Sequence, residues 1–164
     1  AHMFDIGQWA IGKDGSGPVE IMAPESSPYD CLTYRYDNGI EMVHKNVGYG
    51  QSVKVIGENG WIMVKRGKFE ASNPDLMPKE VDQKAVYETN PGHYQTFLNS
   101  IRSRRDPNVP VEIGHSSCTV CNIGNIGYEL NRPLAWNPII QKFVNDDEAN
   151  KLLHYEYRAP YTLE

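Results

Sequence analysis

The first residues of the chain include a histidine and a carboxylate whose spacing suits proton transfer. His2 and Asp5 are three positions apart, which places them on one face of a helix about one turn from each other. A carboxylate beside an imidazole can orient the ring and favour its protonated form near neutral pH. The same spacing also fits two solvated side chains, and His2-Met3 also fits a remnant of a cloning vector. The residues alone leave these interpretations open.

The other four histidines carry less information about chemistry. The neighbouring residues place His44 on a sheet face and His93 at the start of a helix. They place His115 in the first turn of a second helix and His154 in a polar tail.

The three cysteines favour packing over metal binding or a disulfide framework. Three is an odd number, and the pair Cys118 and Cys121 has no second pair to complete a four-ligand site. Adding His115 gives ligands at i, i+3 and i+6 of a predicted helix, where the first and last diverge by about 120° around the axis. We therefore predict no metal site, and we interpret Cys31, Cys118 and Cys121 as reduced, buried small residues.

The glycine-rich segments do not match a dinucleotide-binding loop. Gly15-Ser16-Gly17 and Gly48-Tyr49-Gly50 each lack the third glycine of the Gly-x-Gly-x-x-Gly pattern. The chain is therefore predicted to bind neither NAD nor NADP by itself.

The residues that could do chemistry must be positioned by a helix, several strands and two further helices. Apolar residues at helical intervals predict a helix over 4–11 that stops at Gly12. Alternation then predicts two hairpins, over 32–44 and over 53–64. Asn59-Gly60 is suited to the positive φ angles of the second turn.

The second half of the sequence is predicted to be mainly helical. Residues 72–91 are interpreted as a surface excursion, and Tyr94, Phe97, Leu98 and Ile101 form the apolar stripe of a helix. A second helix is predicted over 113–130. Because its three glycines lower helix propensity, we expect a sheet to approach its backbone closely. The positions of these glycines are Gly114, Gly124 and Gly127.

Short strands over 134–136 and 139–144 and a small helix starting at 146–148 complete the predicted elements. Their order predicts an α+β fold, with a mostly antiparallel open sheet and helices packed on one face. Bulky residues occur on both alternations of the strands, for instance over 61–64. The second face is therefore expected to be covered, either by a partner subunit or by the chain itself.

Composition narrows the classes of partner. The 164 residues are 40% hydrophobic, which suits a single domain over 1–164. A net charge of −5 argues against nucleic acid, and the basic run at 102–105 is interpreted as a helix end. No apolar stretch approaches the ~20 residues of a membrane span, so no membrane partner is expected.

Five segments together resemble the C-terminal domain of the Gfo/Idh/MocA oxidoreductases, the glucose-fructose oxidoreductase and inositol dehydrogenase family. The first resembles the segment that follows the nucleotide-binding domain, the second a Gly-x-x-Gly-Trp hairpin, and the others the two later helices. They are AHMFDIGQW at 1–9, GENGWI at 57–62, HYQTFLNSIRSR at 93–104, VEIGH at 111–115 and NIG at 125–127.

The resemblance implies a fold like the C-terminal domain of dihydrodipicolinate reductase, with an N-terminal Rossmann domain that is absent from this chain. That domain would hold NAD or NADP, while this one would bind substrate and pair subunits through its sheet. His2 matches the family's catalytic histidine, and Asp5 matches a position that contacts substrate hydroxyls. The family's lysine and its other aspartate would precede residue 1.

The expected function is therefore that of the substrate-binding and subunit-pairing domain of an NAD(P)-dependent oxidoreductase. Its substrate would be a sugar, a polyol or a related compound with a CH–OH group, and the isolated domain would be inactive. The alternative is a non-catalytic α+β module for assembly or carbohydrate binding. Either a cytoplasmic or a periplasmic location fits.

Overall fold

The computed structural model of the chain describes residues 1–46, 48–79 and 92–162. These residues form four α-helices, α1 His2–Ala10, α2 His93–Ser103, α3 Val111–Leu130 and α4 Asp147–Lys151. They also form eight strands, β1 Glu20–Met22, β2 Thr33–Arg35, β3 Glu41–Val43, β4 Val53–Gly57, β5 Gly60–Lys65, β6 Lys68–Ala71, β7 Leu134–Asn137 and β8 Lys142–Phe143. Two 3-10 turns lie at Pro24–Ser26 and Pro74–Leu76.

The strands divide into two antiparallel sheets. One has five strands in the order β3-β2-β1-β7-β8, and the other has three in the order β4-β5-β6. The predicted α+β fold with mostly antiparallel open sheets is confirmed. The division into two sheets was not predicted, because alternation along a strand does not identify the strand's neighbours.

Both predicted hairpins form, and the second differs in its turn. β2 pairs with β3, and β4 pairs with β5. In the second hairpin Gly57 pairs with Gly60, so Glu58 and Asn59 occupy the tip. Of the predicted Asn59-Gly60 pair, only Gly60 has a positive φ, at 134°. Glycine is therefore favoured at the first residue of β5, directly after the turn.

Helix α3 packs against the five-stranded sheet at two of its three glycines. A Cβ on Gly127 would lie 2.8 Å from Ile21 Cγ2, and one on Gly124 would overlap the side chain of Tyr34. Gly114 has no such neighbour. The predicted close approach is confirmed at Gly124 and Gly127 and is wrong at Gly114, because a groove separates the first turns of α3 from Trp136 on β7.

The core lies between α3 and the five-stranded sheet, and helix α1 covers the same face. The ring of Phe4 on α1 packs edge-on against Tyr34, with 5.5 Å between ring centroids. Burying each large apolar side chain contributes roughly 1.5–3 kcal/mol. The buried cluster comprises Ile21, Leu32, Tyr34, Tyr36, Val120, Ile123, Ile126, Leu134, Trp136, Phe143 and Ala149.

The face of the five-stranded sheet that lies opposite the helices carries a row of charges, beside the buried Met22 and Thr33. Arg35 pairs in register with Glu20 on β1 and with Glu41 on β3, and its guanidinium forms ion pairs with both carboxylates. The Tyr29 hydroxyl donates a hydrogen bond to Glu41. This bond, together with those from Arg35, lowers the pKa of the Glu41 carboxyl. A row of alternating charges thus crosses part of the face that lies opposite the helices.

The segment after α3 contains one predicted strand that is largely a turn. Residues 139–141 form this turn because Asn137 Oδ1 accepts hydrogen bonds from the N–H groups of Ile139 and Ile140. Only Lys142–Phe143 remains as β8. The predicted small helix forms as α4, where Asp146 caps the N-terminus by accepting from Ala149 N–H.

An ion pair ties α4 to the end of α3. The Arg132 guanidinium binds Asp146, and this contact lowers the pKa of the carboxyl to about 2. Arg132 also reaches Glu148.

Helix α2 forms where the apolar stripe predicts it, but none of its residues is buried. Tyr94, Phe97, Leu98 and Ile101 are exposed. The predicted surface excursion is described only as far as residue 79, and its remainder lies outside the described residues. No helix in the described part is long and apolar enough to span a membrane.

Candidate functional site

Helix α1 presents His2 and Asp5 in its first turn. Asp5 N–H donates to the carbonyl of Ala1 at 2.9 Å, which makes His2 the first helical residue. The His2 side chain is exposed and forms no hydrogen bond or ion pair with any described residue. Its ring is therefore accessible to a small molecule.

The Asp5 carboxylate is held by a residue of the central helix. Ser117 Oγ on α3 donates to Asp5 Oδ1 at 2.7 Å. Within the described parts of the chain, no group donates to Asp5 Oδ2. One carboxylate oxygen is therefore fixed by the protein, while the other keeps its capacity to accept a hydrogen bond from a ligand hydroxyl.

A buried amide anchors α1 to the rest of the domain. Gln8 is fully buried, and its Nε2 donates to Ser116 Oγ at 2.9 Å. Its Oε1 accepts from the Tyr36 hydroxyl at 3.1 Å. Ser116 Oγ in turn donates to the carbonyl of Ser16 at 2.6 Å. Because each polar group of this buried chain has a partner, the rotation of α1 about its axis is fixed.

Burial also keeps this network in one protonation state. It raises the pKa of the Tyr36 phenol, so the hydroxyl remains a donor to Gln8. Sequence analysis did not single out Gln8, Ser116 or Ser117 as site residues. The only signal available was a polar residue, Gln8, on the face of α1 that carries Phe4 and Ile11.

The other four histidines contact residues outside the candidate site or the rings of neighbouring side chains. His44 follows β3, and its ring meets Phe4 at 5.4 Å between centroids. His115 Nε2 lies 2.9 Å from Gln141 Oε1. The rings of His93 and His154 contact Tyr94 and Tyr157, respectively.

The cysteines are free, as expected, but none of the three is fully buried. Cys118 is exposed, and Cys31 and Cys121 are half-buried. The prediction of buried cysteines is therefore wrong, and the difference is largest at Cys118, whose exposure places it on the side of α3 that faces away from the sheet. Among the residues that the structure describes, no group of three His, Cys, Asp or Glu side chains is placed to hold a metal ion.

A groove of about 620 Å3 lies beside the first half of α3, lined in part by His115, Trp136 and Gln141. Neither His2 nor Asp5 lines it. We assign the candidate site to His2 and Asp5, because a side chain suited to proton transfer and a carboxylate with a free oxygen occur together there. That site is an open surface on α1.

The two glycine-rich loops do not have the surroundings of a dinucleotide cradle. The loop at 15–17 leads into β1, and the loop at 48–50 leads into β4. Neither is preceded by a strand and followed by a helix, the arrangement that directs backbone N–H groups at a pyrophosphate. These two loops therefore do not fit the pyrophosphate of NAD or NADP.

Comparison with known proteins agrees with the fold. A family model described as the oxidoreductase family, C-terminal alpha/beta domain, of the Gfo/Idh/MocA type, matches residues 1–163. No curated protein and no solved structure matches the chain. Because the family model covers nearly every residue, the chain belongs to the C-terminal domain family of the Gfo/Idh/MocA oxidoreductases.

Proposed function

We propose that the chain is the substrate-binding and subunit-pairing domain of an NAD(P)-dependent oxidoreductase that acts on a sugar, a polyol or a related CH–OH group. The observation that carries this proposal is the first turn of α1. It combines an exposed imidazole, His2, with a carboxylate, Asp5, that has one oxygen held by Ser117 and the other free. The family supports the general oxidoreductase kind.

In this proposal the chain binds the alcohol and moves its proton. Asp5 Oδ2 accepts a hydrogen bond from a substrate hydroxyl, and His2 takes the proton of the hydroxyl whose carbon is oxidised. A separate nucleotide-binding domain would hold the nicotinamide nucleotide, because neither glycine-rich loop fits its pyrophosphate. The open position of the site on α1 suits a surface that another domain completes.

Replacing Asp5 with Ala in the complete oxidoreductase should raise KM by roughly 10- to 100-fold, the range for losing a hydrogen bond to a charged group. The Asp5→Asn variant should fall between this variant and the wild type, since the amide keeps an acceptor but not the charge. Initial rates would be measured on a polyol panel of myo-inositol, D-glucose, D-galactose and D-sorbitol, with NAD+ and NADP+.

Asp14→Ala serves as the control, because Asp14 lies in the loop after α1. An unchanged KM in both Asp5 variants would remove Asp5 from substrate binding. Absence of turnover by the wild type on every member of the panel would instead favour the second candidate function, a non-catalytic module for assembly or carbohydrate binding.

Self-association through the three-stranded sheet is the second part of the proposal. Its strand β5 carries Trp61, Ile62 and Val64 half-buried on alternating faces, with only Met63 fully buried. Ile56 on β4 is 78% exposed and pairs with Trp61. The five-stranded sheet is less suited to such a contact, because a row of charges crosses its outer face. A two-fold contact between two small sheets would bury the apolar surface.

Light scattering at micromolar concentration should accordingly give about twice the 18.6 kDa chain mass, or a higher multiple. Ile56→Glu should return the mass to that of one chain, because it places a charge in the proposed contact. Ile139→Glu, at an exposed isoleucine in the turn before β8, should leave the mass unchanged. A single-chain mass for the wild type at every concentration would refute the pairing.

A further inference from the structure

We infer that Ser117 is a positioning residue that orients the Asp5 carboxylate for a substrate hydroxyl. The inference rests on the proposed function for its kinetic consequence and on the structure for its geometry. The two residues are 112 positions apart in sequence, and their side chains meet at 2.7 Å. Ser117 is almost fully buried, at 5% exposure, so its hydroxyl has little access to water as an alternative partner.

The direction of the hydrogen bond determines what Ser117 can do. An ionised carboxylate only accepts, so the Ser117 hydroxyl is the donor and Oδ1 the acceptor. A buried donor to Oδ1 restricts rotation about the Asp5 side-chain bonds. It thereby also restricts the position of Oδ2, which accepts from no described residue. The loss of side-chain freedom on binding substrate is then smaller than for an unrestrained aspartate.

The adjacent serine separates this role from a merely structural one. Ser116 also contacts α1, but through Gln8, one helical turn beyond Asp5. It anchors the helix without touching the carboxylate. Two consecutive serines on α3 thus have different roles. Ser116 anchors helix α1, and Ser117 orients the Asp5 side chain that we assign to the substrate.

Nuclear magnetic resonance of the chain tests the positioning without any substrate. Scalar couplings should show one dominant χ1 rotamer for Asp5 in the wild type and rotamer averaging in Ser117→Ala. In Ser116→Ala the Asp5 rotamer should stay fixed while Tm falls. An Asp5 side chain that remains equally fixed in Ser117→Ala would overturn the inference.

A double-mutant cycle in the complete oxidoreductase tests the kinetic consequence on the same polyol panel. Ser117→Ala should raise KM by roughly 3- to 10-fold with kcat little changed, as expected for lost binding that is equal in the ground and transition states. In an Asp5→Ala background the Ser117→Ala effect should vanish, whereas any Ser116→Ala effect should persist.

The two proposals fail in different ways. If Asp5→Ala leaves KM unchanged, the assignment of Asp5 to the substrate is wrong, whatever Ser117 does. If Asp5→Ala raises KM but Ser117→Ala has the same effect with and without Asp5, only the positioning role of Ser117 is refuted.

Discussion

Replacing His2 with Ala in the complete oxidoreductase will lower the turnover number by about 10²- to 10⁴-fold, the range for losing a positioned acid-base group. The reason is that His2 is the exposed imidazole of α1, one turn from the carboxylate that we assign to the substrate. Because its side chain contributes no hydrogen bond or ion pair within the described residues, its loss should leave the fold intact. Rates on the polyol panel give the turnover number.

The matched control is His154→Ala, since His154 is also exposed and lies in the C-terminal segment. It should leave the turnover number unchanged. Fluorescence titration with NADH and NADPH should give the same affinity for the wild type and the His2→Ala variant. A wild-type rate in His2→Ala would exclude His2 from the mechanism and favour the interpretation of His2-Met3 as a remnant of a cloning vector.

The largest effect on stability is expected at Gly124, where Ala should lower the free energy of unfolding by roughly 1–3 kcal/mol or more. The added Cβ would overlap the Tyr34 hydroxyl and lie 2.9 Å from Tyr34 Cζ and 3.0 Å from Leu32 Cδ2. Tyr34 is buried and packed between α3 and Phe4, so its rigid ring has little room to move. The gain in helix propensity, ~1 kcal/mol, offsets only part of this cost.

Gly114 on the same helix is the control, because a Cβ there would meet nothing within 4 Å. Gly114→Ala should therefore stabilise the chain by up to about 1 kcal/mol. Urea unfolding of the three proteins measures both changes. Equal stabilities for Gly124→Ala and Gly114→Ala would show that α3 is not held against Tyr34.

The hairpins and the close packing of α3 could be predicted from the sequence, because both leave a signal in neighbouring residues. The alternation of residues 32–44 and 53–64 identified both hairpins, since side chains that alternate with a period of two residues indicate a strand. The cost of glycine inside a helix identified the close approach at Gly124 and Gly127. The segment 139–144 was misassigned, because the Asn137 side chain binds two backbone N–H groups and turns the chain where apolar composition indicated a strand.

The candidate site could be predicted only in part. His2 and Asp5 are close in sequence, so their spacing on a helix was visible. Ser117 is distant in sequence, and a serine inside a helix carries no local signal for a contact with a carboxylate. Local patterns also did not predict the row of charges that crosses the outer face of the five-stranded sheet, since Glu20, Arg35 and Glu41 become neighbours only through strand register.

The order of strands in the large sheet has a consequence for folding kinetics. β1 lies between β2, which follows it closely, and β7, so that Glu20 pairs with Ala135. Helix α1 likewise rests on α3 through Asp5 and Ser117. Such contacts between distant parts of a chain slow folding, because a long loop must close before they form. During synthesis from the N-terminus, the candidate site on α1 therefore cannot be completed until Ser117, in the last third of the chain, has been made.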